Sequence, residues 1–215
     1  MGFYDQLYAA TEQARTEFMA TPLIHAGVNG DLSLDAYVAF LTEAYHHVKH
    51  TVPLLMACGS RVPHEPRWIR EALAEYVDEE KNHEMWILND IEACGVDPKS
   101  VRFGQPRHAT EMMVAYAYYT IDRVNPLGFF GMVQVLEGTS IEVALNAAKA
   151  IQGSLNLPDN AFSYLNSHGA LDIEHMDFYR SLMDKVENKS DQDAIIHCAN
   201  RMYQLYGDVF RSIPL

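Results

Sequence analysis

The sequence of 215 residues predicts an all-α fold, a single bundle of about seven to eight helices spanning residues 1–215 as one domain. Three observations predict it. Apolar residues recur at steps of three and four almost from end to end, and no alternating apolar–polar run is long enough to suggest a sheet. Short clusters of Gly, Pro, Asn and Asp separate the periodic stretches, and no repeat, low-complexity segment or linker divides them.

The elements follow in order. A first helix is expected over about Phe3 to Met19. A second begins after "NGDLS", with the Ser33 hydroxyl as N-cap, and runs to about Cys58. Pro66 marks the first turn of a third, which closes at Gly95. After the Pro- and Gly-bearing stretch "GVDPKSVRFGQPR", a fourth covers Ala109 to Val124 and ends at Asn125-Pro126, because a residue before proline is disfavoured in the helical region. A fifth runs from about Leu127 to Gln152. The turn "GSLNLPDN" then leads, through Pro158 and Asp159, into the segment "SHGALDIEHMDFY". The last helix is expected from Ser190, where "SDQD" has capping-box spacing.

Composition narrows the function classes. A formal charge of -13, with no Lys/Arg run, leaves little basic surface for phosphates and argues against nucleic acid as a partner. Cys58, Cys94 and Cys198 are odd in number and form no CxxC, which predicts buried thiols in a reducing compartment. The amino-terminal stretch has no basic flank followed by an apolar region, and nowhere are there about 18 consecutive apolar residues. A cytoplasmic protein with no membrane partner is expected.

Three apolar stripes are interrupted by polar residues. If "SHGALDIEHMDFY" is helical, His168, Asp172 and His175 share the face that also carries Leu165, Tyr179, Leu182 and Val186. In the third helix, Ile69, Leu73, Tyr76, Glu80, His83 and Ile87 form a stripe with Glu80 and His83 where Leu is expected. In the fifth, Glu137 stands among Phe130, Val133, Ile141, Ala144 and Ala148. A lone inward His or Glu is usually a hydrogen-bonded core residue. Six together demand a shared counter-charge, since stranding a buried ion costs several kcal/mol. Too few basic residues lie on these stripes to supply it, whereas two divalent cations would neutralise the carboxylates and use the imidazole lone pairs. Mixed N and O donors without Cys suit iron or manganese better than structural zinc. A Glu on one helix with Glu-x-x-His on another is ligand grammar of dinuclear carboxylate bundles, although the ferritin-like version needs Glu-x-x-His twice and here His-x3-Asp-x2-His replaces the second copy.

The segments "EEKNHEMW", "VLEGTS" and "HGALDIEH" resemble the three metal-ligand segments of the heme-oxygenase-like diiron oxidases and oxygenases, and the likeness covers most of the chain. The resemblance implies a heme-oxygenase-like bundle of the superfamily shared with TenA and pyrroloquinoline-quinone synthase. It implies two Fe(II) ions, with manganese as the alternative, held by Glu80, His83, Glu137, His168, Asp172 and His175. Glu79 competes with Glu80 as the first carboxylate, and the stripe favours Glu80. Members use iron and O2 on fatty acids, amino acids and related small molecules, so the expected partners are O2 and a small-molecule substrate, with a homodimer as a further expected form.

Relatives on the same fold give rival readings. The chain resembles TenA-type thiaminases in its second helix, where Glu43 would be a pocket carboxylate, but "GFFGMVQVLEGTS" lacks the nucleophilic Cys of that group. No heme is expected, because "FYDQLYAATEQARTEF" has no His to serve as the proximal ligand. Pyrroloquinoline-quinone synthase needs a basic pocket that this composition does not favour. A third reading is a non-enzymatic binding protein using the bundle pocket. In "EAYHHVKH", Glu43, His47 and His50 lie beside the more apolar face, so a solvated or hydrogen-bonded edge is expected, with Glu43 and His47 as contacts behind the metal or to substrate. Tyr76 and Tyr179 join them as pocket candidates, and Tyr116, Tyr118 and Tyr119 are expected in the core.

Overall fold

The computed structural model describes residues 2–215, with the side chains of 168–174 outside the described set. Helices account for most of the described residues, and no strand occurs among them. In order they are α1 (Phe3–Ala10), α2 (Glu12–Met19), α3 (Pro22–Asn29), α4 (Leu34–Val48), α5 (Thr51–Gly59) and α6 (Trp68–Glu79). Then come α7 (His83–Ala93), α8 (Pro98–Arg102), α9 (His108–Tyr119), α10 (Phe130–Leu155), α11 (Ser163–Met183) and α12 (Lys189–Ser212).

Three expected helices are each divided in two. The first breaks at Thr11, whose hydroxyl donates back to the carbonyl of Leu7 at 2.9 Å. The second breaks at Lys49–His50, because Pro53 cannot donate to the Lys49 carbonyl and its ring would collide with it. The third breaks after Glu80, where Asn82 takes the left-handed conformation at φ 70°, which Asn tolerates better than most residues. This last break corrects the single stripe expected through Tyr76, Glu80 and His83. Pro66 also precedes α6 rather than occupying its first turn.

Other boundaries agree with the sequence. Ser33 caps α4 by accepting from Ala36 N at 3.1 Å, and Gly95, at φ 83°, follows α7 as expected. A π-turn over Thr120–Val124 carries α9 to Asn125, and a 3-10 turn over Pro126–Phe129 leads into α10. The cap of α12 is Asn188, which accepts from Ser190 N at 2.8 Å, rather than Ser190 itself. Neither α3 nor α8 was expected.

The long helix α10 packs against α11, α12 and α3, while α4 packs on α7 and α9, and α5 on α6. Gly131 permits the close crossing of α10 and α12: a Cβ there would lie 2.5 Å from the Ile195 carbonyl oxygen. One continuous hydrophobic core results, including the aromatic block of Phe18, Tyr37, Phe40, Phe162, Tyr206 and Phe210. Among the described residues, no helix is long and apolar enough to cross a membrane.

Candidate metal centre

The break between α6 and α7 aims two side chains inward together. Glu80 is the C-cap of α6 and His83 begins α7, and the turn through the left-handed Asn82 leaves His83 Nδ1 3.0 Å from Glu80 Oε2. The imidazole of His83 lies flat on Trp86, one turn on, with ring centroids 4.0 Å apart. From α10 comes Glu137 and from α11 His175. A donor atom from each of Glu80, Glu137 and His175 lies within 4.8 Å of the others, and all three residues are buried, at 7, 8 and 8 % exposure. Histidines, rather than lysines or arginines, are the ion-pair partners seen here: His83 faces Glu80, and His175 Nε2 lies 3.4 Å from Glu79 Oε2.

The donor chemistry fits divalent iron or manganese: hard carboxylate oxygens and imidazole nitrogens, close together, buried and without thiolate. Two carboxylates so close together need a cation if both are ionised. Glu80, not Glu79, belongs to this group, because Glu79 has a side chain 39 % exposed and meets His175 from the rim. His168 and Asp172 lie outside the described side chains.

Tyr76, expected as a pocket residue, is fully buried beside the site, edge-on to His175 at a ring separation of 6.4 Å. Its hydroxyl has no hydrogen-bond partner among the described residues. Burial, reinforced by the negative charge of Glu137, pushes its phenol well above the ordinary range, so it stays protonated.

Two expected contacts are corrected. Glu43 does not reach the metal centre; its carboxylate accepts from the backbone N–H of Arg107 at 3.1 Å and from the Thr110 hydroxyl, holding the start of α9. Tyr179 is fully buried, and its hydroxyl donates to the Phe130 carbonyl at 2.8 Å, bracing α11 on α10 instead of facing a pocket. The edge of α4 is hydrogen-bonded rather than solvated: Glu43 and His47 are buried, as is His46 beside them, Glu43 is hydrogen-bonded to Arg107 and Thr110, and His50 Nδ1 lies 3.3 Å from the Tyr118 hydroxyl. His47 does line the pocket described next, edge-on to Tyr206. Tyr119 is 55 % exposed, contrary to its expected core role, and Tyr118 is partly buried with its hydroxyl 3.3 Å from His50 Nδ1.

Glu80 and Glu137 open onto a cavity of about 130 Å³, walled chiefly by apolar residues of α3 and α10. The three cysteines are free and buried, as expected, and none lines the cavity. Burial pushes the thiols of Cys58 and Cys198 up to about 12 and that of Cys94 to about 11, which leaves little nucleophilic thiolate.

Sequence reasoning missed two contributors. The first is α3, whose Leu23, Ile24 and Gly27 wall the cavity; its signals, Thr21-Pro22 at the start and Gly30 at the end, were legible. The second is Asp90, wholly buried on α7. Its carboxylate accepts from Ser163 N at 2.9 Å, from the Ser163 hydroxyl and from Tyr164 N at 2.8 Å. It ties the helix that begins at His83 to the start of the helix that carries His175.

The comparisons with known proteins agree with this architecture. A domain of unknown function with a heme oxygenase-like fold from Shewanella denitrificans superposes with a TM-score of 0.88 at 22% identity, over 99% of this chain and 92% of that one. A TenA homolog from Pseudomonas syringae gives 0.78 at 13% identity, covering 98% and 91%. Heme oxygenase-1 from the cyanobacterium Synechocystis, in complex with heme, gives 0.76 at 12% identity, covering 99% and 92%. Likeness at such identities establishes the fold. Among curated proteins, no sequence matches. The family model described as "iron-containing redox enzyme" matches residues 38–207, and the chain therefore belongs to that family, on a heme-oxygenase-like fold.

Proposed function

We propose that the protein is a non-heme diiron, O2-dependent oxidase or oxygenase acting on a small organic substrate such as a fatty acid or an amino acid derivative. The observation that carries this reading is the buried convergence of Glu80, Glu137 and His175 within 4.8 Å, with Glu80 and Glu137 lining an apolar cavity. Glu80, His83, Glu137 and His175 would hold the metal, with His168 and Asp172 completing the set. When bound, iron would supply O2 activation and electron transfer to or from the substrate.

The chain's own residues do the rest. Asp90 fixes the start of α11 against α7, so the ligands on the two helices approach along a set path. Stacking on Trp86 fixes the plane of the His83 ring. The Tyr76 phenol keeps its proton on Oη and presents a hydrogen-bond donor beside the carboxylates. The apolar walls exclude water from the reacting end of the substrate.

Membership of the family and the donor chemistry both support this reading, and nothing at the cavity favours a thiol nucleophile. Anaerobic loading with Fe(II), followed by admission of O2, should give protein- and iron-dependent O2 uptake with optical change. The reading fails if the folded, iron-supplemented protein consumes no more O2 than free Fe(II).

A further inference from the structure

The Trp86 indole joins the metal centre to the protein surface. It lies on the His83 imidazole with ring centroids 4.0 Å apart and planes 23° from parallel, so the two π systems are in van der Waals contact. The residue is half-buried, and it lines no part of the cavity that Glu80 and Glu137 share. A substrate in that cavity therefore does not meet it. A ring that only fixed the plane of His83 need not be an indole, whereas indole and phenol are the side chains that give up a single electron most readily.

A second oxidisable ring, Tyr76, also lies beside the centre, edge-on to His175 at 6.4 Å. A phenol must shed its proton as it sheds an electron. The Tyr76 hydroxyl is buried with no hydrogen-bond acceptor among the described residues, and burial together with the Glu137 charge holds its proton on. Oxidation of Tyr76 is thereby opposed. The Trp86 indole meets no such barrier, because it loses the electron first and the proton afterwards, on a side chain that solvent reaches.

We infer that Trp86 is an electron port: through the stacked His83 ring it gives single electrons to the oxidised centre when O2 is consumed with no substrate in the cavity, and a small soluble reductant such as ascorbate restores it at the surface. The inference rests on the metal reading above. Reduction of O2 to two waters takes four electrons and four protons; two Fe(II) ions becoming Fe(III) give two of the electrons, and a substrate gives the other two. With the cavity empty, ascorbate gives those two in single steps through Trp86 and leaves as dehydroascorbate, releasing one proton while solvent supplies the other three. Without ascorbate, Trp86 itself loses both electrons: its ring takes an oxygen atom from water, two protons are released, and hydroxytryptophan remains.

The test loads the protein with Fe(II) anaerobically, admits O2 without substrate and with catalase present to destroy free peroxide, and maps oxidation by peptide mass spectrometry. The chain carries its own controls. Trp68, the other tryptophan, is half-buried like Trp86 but begins α6, roughly 18 Å of helix axis from Glu80 at about 1.5 Å per residue. Met85, next to Trp86 and 37 % exposed, takes oxygen from any diffusing oxidant. Oxygen should enter Trp86 and neither control, heavy oxygen from labelled water should appear in the product, and ascorbate should suppress the product while being consumed. Trp86→Phe keeps a flat ring beside His83 and is compared at equal bound iron, where ascorbate consumption coupled to O2 uptake should be lost; if the variant loads less iron, the wild-type map decides alone. The inference is overturned if the iron-loaded wild type consumes O2 and Trp86 stays unmodified, if Trp68 or Met85 is oxidised as fully as Trp86, or if Trp86→Phe draws on ascorbate as the wild type does. In each of those cases iron is bound and the metal reading stands, whereas a folded protein that binds no iron removes both.

Discussion

Replacing Glu137 with Gln removes one of two buried carboxylates whose oxygens lie within 4.8 Å of each other. Two unit charges at that separation repel by about 3.5 kcal/mol at an effective dielectric constant of about 20. The His83 imidazole, 3.0 Å from Glu80, offsets part of this when protonated, so a gain of about 1–3 kcal/mol is expected for Glu137→Gln in the metal-free protein. For a domain of this size, each kcal/mol moves the melting temperature by about 2–4 °C. With chelator present, the variant should therefore melt several degrees above the wild type. With metal the order should reverse: a ligand at about a hundred times its Kd stabilises the wild type by about 2.7 kcal/mol, and the variant should lose most of that gain. Thermal melts of both proteins, with chelator and with anaerobic Fe(II), decide the matter. A variant that melts below the wild type in chelator and still rises with iron would refute the claim that Glu137 is held at a cost for the metal.

Asp90→Ala should destabilise the protein by about 3–4 kcal/mol, since it removes a helix cap and strands buried backbone N–H groups at Ser163 and Tyr164; urea denaturation would measure it. Burial raises the Asp90 carboxyl above its usual range, so the folded state holds this proton more tightly than the unfolded state. Its contribution is present at low pH and declines as pH rises through the raised folded value, and Asp90→Asn should remove that part of the pH–stability slope. Tyr179→Phe should cost only about 1–2 kcal/mol, the loss of one buried hydrogen bond to the Phe130 carbonyl, and leave iron uptake intact. Thiol-reactive reagents should modify Cys58 and Cys198 in the folded protein far more slowly than after denaturation, because both are buried with thiols raised to about 12.

The helices were legible wherever the apolar period was long and its ends carried strong signals, as at Ser33 and Gly95. The breaks were harder. Pro53 and Asn82 were visible in the sequence, but a single Pro or Asn inside a periodic run competes with the period around it, and the tertiary contacts of α6 and α7 decide the outcome. Glu80 and His83 come together for a different reason from the one the stripe suggested. A shared helical face predicted their proximity, whereas in the structure they flank a short turn whose Asn82 is left-handed. Glu43 shows the opposite case: a buried acid on a helix looks the same in sequence whether it meets a metal or caps another helix. Its partners, Arg107 and Thr110, are far away in the chain and carry no local signal. Tyr179 sits on the expected stripe, but its hydroxyl is committed to a carbonyl of α10, which periodicity cannot reveal.

The most direct measurement is anaerobic titration of the metal-depleted protein with Fe(II), followed by iron analysis after removal of free metal. The account predicts about two iron ions per chain, falling sharply in Glu80→Ala and His175→Ala variants that remain folded. A folded wild type that retains essentially no iron, or variants that retain as much as the wild type, would contradict it.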